Sequence, residues 1–128
     1  MFKIVKDTNP SIRLRCEKVE LPLSSEDQKT LKDMLNYLIK SQDEEYASKH
    51  GMRPGVGLAA PQIGIQKQML VVYYDNGQQL VQYALVNPRI VSTSVKMCYL
   101  NSGEGCLSVD NDVKQLRHSL LQQFQYLD

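Results

Sequence analysis

The sequence predicts an α+β domain in which one amphipathic helix precedes an antiparallel sheet. Three observations carry that expectation. Leu31, Met34, Leu35, Leu38 and Ile39 fall at i, i+3, i+4, i+7 and i+8, a single apolar stripe of helical period. Gln68 to Tyr74 is a short run rich in Val and Tyr, the composition of a strand. Asp75-Asn76-Gly77 follows, and because Asn and Gly tolerate positive φ, Leu80 to Val86 is expected to fold back as the second strand of a hairpin.

From the N-terminus, the segment through Pro22 contains two prolines and little periodicity, which predicts an extended arm with turns. Cys16 in that arm reads as a half-buried structural residue rather than a nucleophile. Ser24 and Ser25 before Glu26-Asp27 supply a hydroxyl cap and first-turn acids that suit the positive end of a helix dipole. The helix is expected from about Glu26 to about Ala47, with Met34 in the core rather than on a ligand. Ser48 to Pro54 reads as a loop in which His50 is solvated. Beyond the hairpin, Asn87-Pro88 predicts a turn, Arg89 to Met97 a third strand, and Asn101-Ser102-Gly103 a loop.

Composition narrows the function classes. A chain of 128 residues with 42% hydrophobic and 23% charged residues suits one globular domain. A formal net charge of +1 and no cluster of basic and aromatic residues argue against nucleic acid as a partner. The three cysteines are irregularly spaced, which favours a reducing compartment over a disulfide framework. The N-terminal residues lack the apolar core of a signal peptide, and the run Met69 to Tyr74 is too short to cross a bilayer. A cytoplasmic protein without a membrane partner is the expectation.

Two short segments carry chemistry. In Gly55-Val56-Gly57-Leu58-Ala59-Ala60-Pro61-Gln62 the glycines admit backbone angles closed to other residues and keep side chains from between main chain and ligand. Gln62 ends the run with an amide that can donate into the space beside it. Taken alone, the same segment also suits a loop crossing closely over a helix. It is no phosphate cradle, because Ala59-Ala60-Pro61 stands where a Walker loop needs Lys-Ser/Thr. In Glu104-Gly105-Cys106-Leu107-Ser108 the cysteine has three readings: buried hydrophobe, nucleophile or metal ligand. Its surroundings add no lysine or arginine nearby, so a metal would be the agent that favours its thiolate.

Together these segments resemble the first two signature motifs of the peptide deformylases, at every diagnostic position and in the family's order and separation. Asn9-Pro10-Ser11-Ile12-Arg13 resembles that family's N-terminal segment, and the similarity extends over roughly Met1 to Val113. The resemblance implies a deformylase-like α+β fold and an activity on N-formylmethionyl peptides: hydrolytic removal of the formyl group during protein maturation. It implies a divalent metal, Fe2+ or in its place Zn2+, Ni2+ or Co2+, held by one cysteine and two histidines and activating a water. By the same resemblance Cys106 is the thiolate ligand, and Gln62 with the backbone N–H of Leu107 holds the oxyanion. Val56, Gly57 and Gly105 line the peptide groove, and Glu104 supports the site.

The family's third motif, a His-Glu-x-x-His stretch on a C-terminal helix that brings two imidazoles to one face, has no match in these 128 residues. The fold is therefore expected without its C-terminal metal-binding helix. After Glu104 there is no further glutamate, and the histidines are His50 and His118. Val113, Leu116, Leu120, Leu121, Phe124 and Leu127 follow helical spacing, which predicts a deformylase-like domain over 1–113 and a divergent, helical tail over 114–128. That tail is expected either to be an out-of-frame remnant or to cover the sheet as a replacement helix, with His118 on its polar face. The functional expectation is a deformylase relative that lacks activity by itself and does not stably hold the metal. The alternatives are a module that binds N-terminal peptides without cleaving them, and half of a split enzyme completed in trans. A cysteine hydrolase pairing Cys106 with His118 is weaker, since no third residue orients the base. Loss of a packed helix is expected to leave apolar sheet exposed, to be covered by oligomerisation or a partner chain.

Overall fold

The computed structural model describes residues 2–100, 104–113, 118–119 and 122–127. After an N-terminal arm with a 3₁₀ turn at Pro10–Arg13 come α1 (Ser25–Ser41) and α2 (Glu44–His50). The strands are β1 (Gly57–Ala59), β2 (Met69–Asp75), β3 (Leu80–Thr93), β4 (Met97–Cys98), β5 (Glu104–Cys106), β6 (Val109–Val113), β7 (His118–Ser119) and β8 (Gln122–Leu127). The main sheet is antiparallel with order β1-β2-β3-β8, and β4–β7 and β5–β6 form two short ribbons. The α+β class read from the sequence is the class observed. Among the described residues no helix is long and apolar enough to cross a membrane.

The core lies between α1 and one face of the sheet. Ser24 Oγ accepts the Asp27 N–H at 3.1 Å, capping α1 as its sequence indicates. Met34 and Leu38 are fully buried, with Leu31 and Tyr37 beside them. The buried stripe is rotated from the expected one: Ile39 is exposed, and Tyr37 and Ser41 take the inward positions. The sheet answers with Leu58, Met69, Val71 and Val86. Burying side chains of this size contributes roughly 1.5–3 kcal/mol each.

The single helix expected to Ala47 is two helices. Asp43 Oδ1 accepts the Tyr46 N–H at 3.2 Å and caps a new helix that opens with Glu44 and Glu45. Gly51, at φ +64, ends it in the left-handed conformation. His50 therefore sits on a helix rather than in a loop. Its ring stacks on Tyr46 at 4.0 Å between centroids, and its Nδ1 lies 3.0 Å from the Tyr46 carbonyl oxygen.

The β2–β3 hairpin forms where its turn residues place it. Asp75 Oδ1 accepts from Gly77 N at 2.9 Å, and Asn76 Oδ1 accepts from Gln79 N at 2.7 Å. Asn87-Pro88, expected to turn the chain, instead makes a bulge in one continuous strand. Asn87 stands at φ 51, the register shifts between Val86 and Arg89, and pairing resumes beyond. Its side chain docks on the N-terminal arm: Oδ1 accepts from Val19 N at 2.7 Å and Nδ2 donates to Val19 O at 3.0 Å.

The tail expected as a helix is β-structured where it is described. Residues 122–127 pair antiparallel with β3, setting Phe124 opposite Ile90 and Leu127 opposite Val86. His118 lies on β7, in register with Cys98 on β4. The reason is the edge of β3, whose amides need partners, a demand stronger than the weak helical spacing of a short segment. The distal half of β3 carries exposed apolar groups on both faces, Ile90 and Val91 each being 52% exposed.

Asn87→Ala is expected to lower unfolding stability by about 2–4 kcal/mol, because both bonds to Val19 are lost and alanine is strained at positive φ. Asn87→Gly keeps the φ and is expected to cost less; urea denaturation of both variants measures the difference.

Candidate functional site

The cleft is built from the ends of separate elements. It is open, with a volume of about 1060 Å³, and its walls include Arg53, Val56, Gly57, Gln62, Gly105, Cys106 and Leu107. The two sequence motifs, some forty residues apart in the chain, thus face each other.

The first wall is β1, the edge strand of the main sheet. Tyr73 N donates to Val56 O at 2.8 Å, and Gly57 lies opposite Val72. Antiparallel alternation then turns the N–H and C=O of Gly57 away from β2, toward the strand's outer side. The Val56 carbonyl, by contrast, is engaged within the sheet. The end of α1 secures this wall: Ser41 Oγ accepts from Gly55 N at 3.1 Å, and Gln42 Nε2 donates to Gly55 O and Tyr73 O, each at 2.8 Å.

Gly55 acts through space, not through an unusual angle. Neither Gly55 nor Gly57 has positive φ. A Cβ on Gly55 would lie 3.0 Å from Leu107 Cδ1 and 3.2 Å from its Cγ. At Gly57 the nearest atom to a Cβ is Val71 O at 3.8 Å, ordinary contact. Gly55 is therefore small because Leu107, a residue of the second wall, packs upon it.

The second wall is the β5–β6 ribbon with its two-residue turn Leu107-Ser108. Leu107 and Ser108 are buried, while Gly105 and Cys106 are exposed to the cleft. Glu104 is half-buried on β5, opposite Val113, and does not line the cleft.

Gln62 joins the walls. Its Oε1 accepts the Ala59 N–H at 3.0 Å, which orients the amide. Its Nε2 donates to Ser108 Oγ at 3.1 Å and lies 3.7 Å from Cys106 Sγ. The N-terminal arm closes the circuit: Val5 N donates to Gln62 O at 2.7 Å, Asp7 N to Ser108 O at 2.8 Å, and Lys6 Nζ to Leu107 O at 3.2 Å. Lys6 also pairs with Asp110 at 3.0 Å.

Arg53 corrects the sequence reading, which placed no basic residue near Cys106. Its Nη1 donates to Cys106 O at 3.2 Å and to Val109 O at 2.8 Å. The contact spans 53 residues of chain, so no local pattern announced it. Ser108 was inside a recognised motif, yet its role depends on Gln62 arriving from elsewhere.

Of the cleft's described lining residues, Cys106 and Glu44 carry side chains of metal-donor type. Among the described residues no group of three or more His, Cys, Asp or Glu side chains converges. Cys106 presents its thiol to the cleft, whereas the His50 ring is held on Tyr46. A three-donor site does not fit these residues.

The same fold is found in solved peptide deformylases. A peptide deformylase of Ehrlichia chaffeensis superposes with TM-score 0.76 at 27% identity, over 100% of this chain and 69% of that one. That of Thermotoga maritima does so with TM-score 0.70 at 28% identity, over 98% and 73%. The family model for polypeptide deformylase matches residues 1–119. Peptide deformylase 2 of Geobacillus stearothermophilus is 53% identical over 88% of this chain and 62% of its own length. The peptide deformylase of Shouchella clausii is 51% identical over 91% and 64%. The chain belongs to the peptide deformylase family, and it spans about three fifths of the length of these curated relatives.

Gly55→Ala is expected to push Leu107 from its seat and destabilise the protein by about 1–3 kcal/mol. A thermal melt reads the loss, and Leu107→Ala combined with Gly55→Ala should relieve the clash term, giving less than the sum of the two single effects.

Proposed function

We propose that this chain carries the peptide-binding and oxyanion-holding part of a deformylase site, directed at N-formylmethionyl peptides, and that by itself it releases no formate. The observation that carries the reading is the Gln62 amide, fixed by Ala59 and Ser108 and 3.7 Å from Cys106 Sγ beside the outer edge of β1. A peptide extending β1 would pair with Gly57, with Gly105 facing it across the cleft. Its formyl oxygen would be received by Gln62 Nε2 and the Leu107 N–H. Cys106 supplies a sulfur donor at that point, and Glu104 supports the ribbon that bears it.

The inactivity follows from the donor set. In the family's chemistry a divalent metal activates the water, and the residues present provide Cys106 for it without a pair of imidazoles. The family's proton-carrying glutamate has no counterpart after Glu104. General acid–base groups contribute roughly 10²–10⁴-fold in rate. A second reading, in which further polypeptide supplies those groups in cis or in trans, is favoured by the uncovered Ile90 and Val91 on the two faces of β3.

Titration of the purified chain with a formyl-methionyl peptide is expected to show binding, weakened roughly three- to tenfold by Gln62→Leu. No formate should appear with or without added iron, nickel or zinc. Turnover by the isolated chain overturns the inactivity, and absence of binding overturns the peptide site.

A further inference from the structure

We infer that Arg53 is a positioning residue for the oxyanion donor: its guanidinium fixes the peptide plane whose N–H belongs to Leu107. This rests on the role proposed above for that N–H. Arg53 Nη1 donates to Cys106 O at 3.2 Å and Val109 O at 2.8 Å, the carbonyls on either side of the Leu107-Ser108 turn. In a trans peptide the C=O and N–H point in opposite directions. Holding the Cys106 carbonyl therefore directs the Leu107 N–H away from the guanidinium.

The rest of the turn is tied from the other side. Lys6 holds the Leu107 carbonyl, Asp7 N–H holds that of Ser108, and the Leu107 side chain is locked in the core at 7% exposure. Cys106 itself is exposed, so packing does not fix its peptide plane, and the arginine reinforces the Cys106–Val109 pairing that closes the turn. A cation on a peptide carbonyl also polarises the amide and makes its N–H a stronger donor. Arg53 touches neither substrate nor reacting atom in this scheme. It acts through the backbone of Cys106 and Leu107.

The test is amide NMR of the ¹⁵N-labelled chain, which needs no turnover. In Arg53→Gln the Leu107 amide resonance is expected to move upfield by more than any change at Val71 or Tyr73, which report the sheet. On adding a formyl-methionyl peptide, the wild type is expected to show responses at Leu107, Gly57 and the Gln62 side-chain amide. Arg53→Gln should lose the Leu107 response and keep the other two, and Arg53→Lys should restore it in part. An unchanged Leu107 resonance and peptide response in Arg53→Gln overturns the inference. If the wild type shows no response at any of the three, the peptide-site reading fails, and the resonance positions without peptide still decide the role of Arg53. Should Arg53→Gln not fold, the wild-type Arg53 Nη protons decide: resolved, slowly exchanging resonances support the pin, and an averaged guanidinium signal overturns it.

Discussion

Leu107 belongs to two structures at once, and the rest of the molecule depends on that. Its side chain is part of the core shared by α1 and the sheet, while its backbone forms the turn at the lip of the cleft. The absent side chain of Gly55 makes the seat. Any force that stabilises the core therefore holds the second wall of the cleft at a fixed distance from the first. A cleft between two loops alone would have no such reference, because loops carry few buried contacts.

Polar contacts complete what packing begins. The N-terminal arm reaches Gln62 through Val5 and Ser108 through Asp7, so one extended segment bridges both motifs. The same arm is fastened elsewhere: Asn87 binds Val19, and Glu17 exchanges backbone bonds with Gln66 and Gln68. Lys67 and the buried Asp27 tie the start of β2 to the first turn of α1 at 2.8 Å. The hydrogen bond to Asp27 raises the Lys67 pKa, against desolvation, so that contribution is complete at neutral pH and fades as Lys67 deprotonates in strongly alkaline solution. The arm is thus a structural member of the site.

Local patterns in the sequence foretold local structure. The Ser24 cap, the Met34–Leu38 stripe and the Asp75-Asn76-Gly77 turn each encode a geometry that their own neighbours satisfy. Errors arose where distant partners compete. Asn87-Pro88 carries a turn signature, yet docking on Val19, 68 residues away, holds it as a bulge. The tail's apolar spacing fits a helix, but β3 offers an edge that a strand can pair with. The glycines of the first motif were read as admitting unusual φ and as leaving space beside a ligand; neither has positive φ, and the space at Gly55 is taken by a side chain from another part of the chain.

The sequence by itself determined the α+β class, the family resemblance and the identity of the cleft residues Gly57, Gln62, Cys106 and Leu107. These are properties of short segments whose residue types carry their own conformational and chemical preferences. Only the tertiary structure decided that Gln62 reaches both Ser108 and Cys106, that Gly57 rather than Val56 turns its backbone outward, and that Arg53 sits on the Cys106 carbonyl. Those outcomes depend on contacts between residues tens of positions apart, and nothing in a local pattern encodes the partner that folding brings to it.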